Sequence, residues 1–304
     1  MPRAVRFHEY GGPEVLALDE VELPAVGRSQ VRIRVEAAGL NPADSKVRRG
    51  EFLPSLPKSL PSGIGFEAAG VVDAVGEDVT GFSPGDEVFG LVRLGGVADF
   101  AIAPATSIAR KPAELDWPRA GGLASVGQTA LDIVASQQVT PGMTALVSAA
   151  AGGVGSMVAQ LAMLAGARVI GTASAGNVEY LEELGILPIA YGPGLAERLL
   201  ETADDIDVVF DHAGEETVRA ALALGVDAAR INTIAADAQA LGVRGVGQQR
   251  ADPAGLELLA HQVADGQLTL RIDSAHGLDD AQAAYRRLDS RHARGKVVIV
   301  PTLA

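Results

Sequence analysis

The chain has 304 residues, 48% of them apolar and 21% charged, enough to bury a substantial core and to divide into two domains. A formal net charge of −13 with no Lys/Arg cluster excludes a general nucleic-acid or anionic-membrane surface, because both partners draw clustered cations. The absence of cysteine rules out disulfides and thiolate zinc sites; no apolar run reaches membrane-spanning length, and MPRAVRFHEYGGPEV lacks a signal-peptide core, so the cytoplasm is the expected location. In chain order, residues 1 to about 116 carry short β-rich pieces such as VRIRVEAA and AAGVVDAV, separated by the turn signals EYGGPE, LPSG and SPGD. From about Trp117 the pattern alternates: strand at Ala145–Ala149, helix at Gly155–Ala165, strand at Arg168–Thr172, helix at Val178–Leu184. It continues with a strand at Asp207–Phe210, a helix at Glu216–Leu224 and a strand at Arg230–Ile234. Repeated βα units of this length predict a doubly wound parallel sheet. A last helix at Leu278–Leu288 and the strand KVVIV are expected to rejoin the first domain.

Between the first strand and helix of this series stands SAAAGGVG, with the spacing Ala150-x-Gly152-x-x-Gly155. A dinucleotide fold lays its pyrophosphate on such a turn, where missing side chains allow close approach and unpaired helix amides face the phosphates. An ordinary small-residue turn is the bland alternative, but the flanking strand, apolar helix and second strand favour cofactor binding by Gly152, Gly153, Val154 and Gly155. The second strand ends in GTASAGN, with no Asp or Glu before Glu179, which favours NADPH over NADH. Ser174 and Asn177 are candidate donors to the added phosphate; a plain helix N-terminus accounts for them equally.

The order NPADSKVRRG, GIGFEAAGVVDAVGEDVTGFSPGDEVFG, VGQTALDIV, SAAAGGVG, GTASAGN and RGKVVIV resembles the zinc-free quinone oxidoreductases of the medium-chain dehydrogenase/reductase superfamily, and within them the NADPH-dependent alkenal/alkenone reductases. The resemblance implies an α/β protein: a GroES-like β-barrel catalytic domain (1–117), a Rossmann doubly wound parallel sheet (118–273) and a C-terminal segment (274–304) rejoining the first, with the active site in the cleft between domains. It also implies a homodimer, for which 244–249 is the candidate edge. Zinc relatives carry a Cys near Asn41 or Pro42 and a His before the Glu of their GHE motif; here LNPAD and GFE stand there, with Phe66 at the His position. His8, His212, His261, His276 and His292 form no paired ligand motif and are expected to be structural or exposed. Turn and capping jobs likewise suffice for Asp207 and Asp211.

Metal-free hydride transfer suits an acceptor that delocalises charge itself, an enone, enal or quinone. By resemblance, Lys46 contacts the cofactor near the nicotinamide, with an exposed loop lysine as the alternative, and Asn41 meets cofactor or substrate, with turn capping as the alternative. Asp44 anchors the following turn. The same match assigns cofactor contacts to Thr129, Tyr191, Gly295 and Lys296; the alternatives are a helix Thr, a packing aromatic and a solvated lysine. A tyrosine that several quinone reductases carry after this motif is missing from RRGEFLPSL, where Phe52 offers no hydroxyl. A non-catalytic NADPH-binding redox sensor or structural protein is the alternative function.

Overall fold

The computed structural model describes residues 1–52, 55–57, 59–247 and 251–303. Two compact units emerge: Met1–Ser125 with Ala251–Ala304, and Val126–Arg250. The first stretch supplies β1 (Arg3–Phe7), β2 (Leu16–Glu20), β3 (Gln30–Gly39), α1 (Pro42–Arg48), β4 (Ser62–Gly63), β5 (Glu67–Val75), β6 (Glu87–Leu91), β7 (Phe100–Pro104) and β8 (Ile108–Arg110). Helix α2 (Trp117–Gln137) contains the boundary. VRIRVEAA folds as β3 because its side chains alternate: Val31, Ile33 and Val35 are buried, whereas Arg32 turns out to pair with Asp73 at 2.6 Å. β3 runs antiparallel to β5 on one side and β7 on the other, with Val31 opposite Val75. LPSG is not only a turn, since its Ser62 and Gly63 pair with β1.

The second unit comprises β9 (Thr144–Val147), α3 (Gly153–Leu164), β10 (Arg168–Ala173), α4 (Val178–Glu183), β11 (Leu187–Ala190), α5 (Leu195–Thr202), β12 (Val208–Asp211), α6 (Glu215–Ala223), β13 (Ile231–Thr233) and α7 (Ala238–Leu241). All its strand pairings are parallel, in the order β11-β10-β9-β12-β13. Leu146, Ile170, Val209 and Ile231, one from each of four strands, share its core. Because β9, β10 and β11 fill one half and β12 and β13 the other, the chain reverses direction across the sheet between β9 and β12. That is the topological switch point at which open α/β sheets take ligands. Of the candidate edge segment 244–249, Arg244 forms an isolated parallel bridge with Asn232 of β13, while Gln248 and Gln249 lie outside the described residues.

The chain then returns to the first unit as α8 (Pro253–Ala264), β14 (Ile272–His276), α9 (Ala281–Asp289) and β15 (Lys296–Ile299). β15 pairs with β14 in parallel and with β3 antiparallel, so the sheet reads β14-β15-β3-β5-β6-β8. Tyr285 of α9 and Val297 and Ile299 of β15 enter the core that holds Phe7 and Ile33. Among the described residues no helix is long and apolar enough to cross a membrane.

Candidate cofactor and active-site residues

After β9 the backbone turns sharply. Ala149 takes the left-handed conformation (φ 48°), and the Ala150 N–H donates to the Thr172 carbonyl at 3.1 Å, locking the turn to the end of β10. Gly152 is the extended N-cap of α3 and no side chain caps that helix, so its leading amides are offered outward. The two glycines do different work. A Cβ on Gly155 would run into the Ala149 carbonyl oxygen and lie 2.9 Å from its carbon, so only glycine lets α3 pack this tightly on the turn. A Cβ on Gly152 would meet only the Ala149 oxygen, at 3.2 Å, leaving that face open. A close helix, an open backbone face and uncapped amides at the switch point fit a dinucleotide pyrophosphate.

At the end of β10, Ser174 and Asn177 are half-buried and bonded to each other, the Asn177 amide donating to Ser174 Oγ at 3.1 Å. The next carboxylate, Glu179, is exposed on α4. Tyr191 follows β11 and stands 52% exposed, so it is not a packing aromatic. Thr129 is buried on α2.

NPADSK forms a helix rather than a loop. Asn41 is its N-cap, Pro42 its first residue, and the Asn41 N–H donates to Asp44 Oδ2 at 2.8 Å, closing the capping box from within. Asp44 is fully buried; loss of solvent pushes its carboxyl up to about 7, against the opposing pull of the Asn41 N–H and the Lys296 charge. Tyr285 Oη lies 3.5 Å from the same Oδ2. One turn on, the fully buried Arg48 donates to Asp289 Oδ2 at 2.6 Å and to the Gly11 carbonyl at 3.1 Å, with its guanidinium 5.4 Å from the Tyr285 ring centre. These contacts fix α1 against α9 and leave Lys46 on its exposed face.

The start of α1 is held by a second buried cluster. Lys296 Nζ donates to the Leu40 carbonyl (2.8 Å), Asn41 Oδ1 (2.7 Å) and Glu67 Oε1 (2.8 Å), which uses all the donors an ammonium has. Glu67 Oε1 also accepts from Asn41 Nδ2 at 2.8 Å, and Oε2 from the Ser125 N–H at 2.8 Å. Lys296 is 3% exposed and Glu67 0%, so the alternative of a solvated lysine does not describe Lys296, whose ammonium bonds within the protein. Asn41 likewise turns its amide inward. Gly295 has φ 79°, and a Cβ there would strike the Arg271 carbonyl oxygen, so backbone geometry by itself demands glycine. Nothing in the sequence tied Lys296 to Glu67, which is 229 residues away.

The donors do not fit zinc. The chain has no cysteine, and among the described residues no three His, Asp or Glu side chains come together; Phe66 packs on the barrel core instead. Residues 27–113 match the family model of the alcohol dehydrogenase GroES-like domain, and residues 189–299 that of the zinc-binding dehydrogenases. The NADPH-dependent alkenal/one oxidoreductase of Arabidopsis thaliana chloroplasts is 31% identical over 97% of this chain and 78% of its own length. The chain belongs to the quinone oxidoreductase family of the medium-chain dehydrogenase/reductases. Members of that family with solved structures superpose over nearly the whole chain. The Coxiella burnetii quinone oxidoreductase does so with a TM-score of 0.89 and 29% identity, covering 98% of this chain and 99% of its own. The Escherichia coli quinone oxidoreductase complexed with NADPH gives 0.86 and 27%, covering 98% and 100%. The GroES-like and Rossmann parts expected from the sequence are thus both present.

Proposed function

We propose that the chain is an NADPH-dependent oxidoreductase that reduces the carbon–carbon double bond of a small enone or enal, or a quinone, without zinc. The observation that carries this reading is the open, uncapped glycine turn at the switch point, followed by a strand end with no carboxylate. Relatives named as NADPH-dependent alkenal/one oxidoreductase and quinone oxidoreductase support it. When bound, NADPH supplies the hydride. Gly152, Gly153, Val154 and Gly155 hold the pyrophosphate, with Thr129, Tyr191 and Gly295 as further contacts. Asn41 and Lys296, both directed inward, act by fixing the start of α1. A conjugated acceptor carries developing negative charge to its own oxygen, so the protein needs a donor there and exclusion of water more than a metal.

Lys46 is the group we assign to that oxygen or to orienting the cofactor. Its helix is pinned by Arg48 while the ammonium stays exposed. Lys46→Ala should lower turnover on an enone by about 10-fold while leaving the melting temperature unchanged; wild-type kinetics in the variant would remove Lys46 from the mechanism. Ser174→Glu should weaken NADPH binding by about 10-fold or more and barely affect NADH, because a carboxylate would oppose only the extra phosphate. Matched titrations with both cofactors decide this, and equal losses would reject the assignment.

A homodimer through the β13 edge at Arg244 and a reducing compartment such as the cytoplasm complete the proposal. The deciding assay is NADPH consumption against enone and quinone panels, with products identified by mass and NMR. Formation of an allylic alcohol, or no turnover on either panel, would defeat the assignment.

A further inference from the structure

His212 directly follows β12, on the edge of the switch point, and its surroundings are not those of a surface or core histidine. Ser148, which directly follows β9, ties the two strands together: its Oγ donates to Asp211 Oδ1 at 2.6 Å and accepts from the His212 N–H at 2.7 Å. Asp211 is spoken for, since it also accepts from Thr233 Oγ1 at 2.6 Å and from the Gly214 N–H at 3.2 Å; of the turn and capping jobs expected of it, it does the turn job. The imidazole is different. Its Nδ1 lies 3.2 Å from the Ser148 carbonyl oxygen, which can only accept, so Nδ1 carries the proton and Nε2 is a bare acceptor. Burial holds the ring's pKa below its ordinary value, which keeps it neutral. Nε2 is buried, and no donor among the described residues meets it.

The strand order says which ligand group belongs there. With the pyrophosphate on α3 at the end of β9, the adenosine half lies toward β10, where the ribose-reading position falls. β12 flanks β9 on the other side, so the remaining half of the dinucleotide extends over the end of β12. That half carries uncharged donors, ribose hydroxyls and the carboxamide N–H. We infer that His212 is a cofactor-binding residue whose Nε2 accepts a hydrogen bond from the nicotinamide half of the dinucleotide. The inference rests on the NADPH reading above and adds a contact wholly within residues 126–250.

The test follows the Nε2 resonance of ¹⁵N-labelled protein, assigned by its loss in His212→Phe, during titration with NADPH, reduced nicotinamide mononucleotide and 2′,5′-ADP. A bare acceptor nitrogen moves upfield when it receives a proton donor; NADPH and the mononucleotide should move it and 2′,5′-ADP should not. In parallel, His212→Phe should weaken NADPH by about 10-fold, the worth of one hydrogen bond. It should leave 2′,5′-ADP affinity unchanged, and His212→Gln, which keeps an acceptor, should regain part of the loss. A resonance unmoved by saturating NADPH, a shift with 2′,5′-ADP alone, or wild-type affinity in the Phe variant would overturn the inference while leaving the NADPH reading intact. Failure of the wild-type protein to bind NADPH at all would overturn both.

Discussion

Lys296→Met is expected to lower the melting temperature by roughly 10 °C, the equivalent of about 3–5 kcal/mol for breaking a buried ion pair. The size follows from what is left behind. Glu67 is 0% exposed, and without the ammonium its carboxylate keeps only the Asn41 amide and the Ser125 N–H as partners. Most of the cost is therefore that of an uncompensated charge rather than of a lost attraction, and adding Glu67→Gln to the same chain should recover the larger part of it. Denaturant unfolding of the wild type, both single variants and the double variant measures the coupling directly. A single variant melting within a degree or two of the wild type would mean that water reaches the cluster or that the pair is not formed.

The second large effect separates the two glycines of the turn. Gly155→Val should weaken NADPH binding by about 100-fold or more and also destabilise the protein, because its Cβ occupies the place of the Ala149 carbonyl oxygen and α3 has to move away from the turn. Gly152→Ala should leave stability near wild type, since its methyl group meets a single atom at 3.2 Å. It should still weaken NADPH by about 10-fold, because that methyl stands on the face the pyrophosphate approaches. Fluorescence titration alongside thermal melting reads both quantities. Unchanged NADPH affinity in Gly152→Ala would show that the phosphates bind elsewhere.

What the sequence disclosed depended on whether the signal was local. The βα series was readable to within a residue or two at most ends, because buried parallel strands are short apolar runs and the glycine turn interrupts them at a fixed place. α1 was harder. Its seven residues, PADSKVR, show little helical periodicity, and its helix rests on Pro42 at the first position and on Asp44 reaching back to the Asn41 N–H. A Pro followed two residues later by Asp was the available clue. The environment of Lys296 was illegible from one strand, because a lysine before an apolar run looks the same whether it faces water or a distant carboxylate. His212 was set aside because it matched no ligand spacing; its distinguishing feature, an unmet Nε2, exists only once Ser148 fixes the tautomer.

The position of β15 bears on how the chain is made. It lies between β14 and β3, in the interior of a sheet most of whose other strands are encoded before residue 111. During synthesis those strands emerge early with the Ala38–Gly39 end of β3 still without the partner that β15 brings and with Glu67 lacking its cation, and they wait while the whole of the second unit is translated. That unit needs no later residue to complete its parallel sheet. The inserted unit is therefore free to fold first, and the barrel that began the chain closes last, when Lys296 arrives carrying both the missing strand and the missing charge.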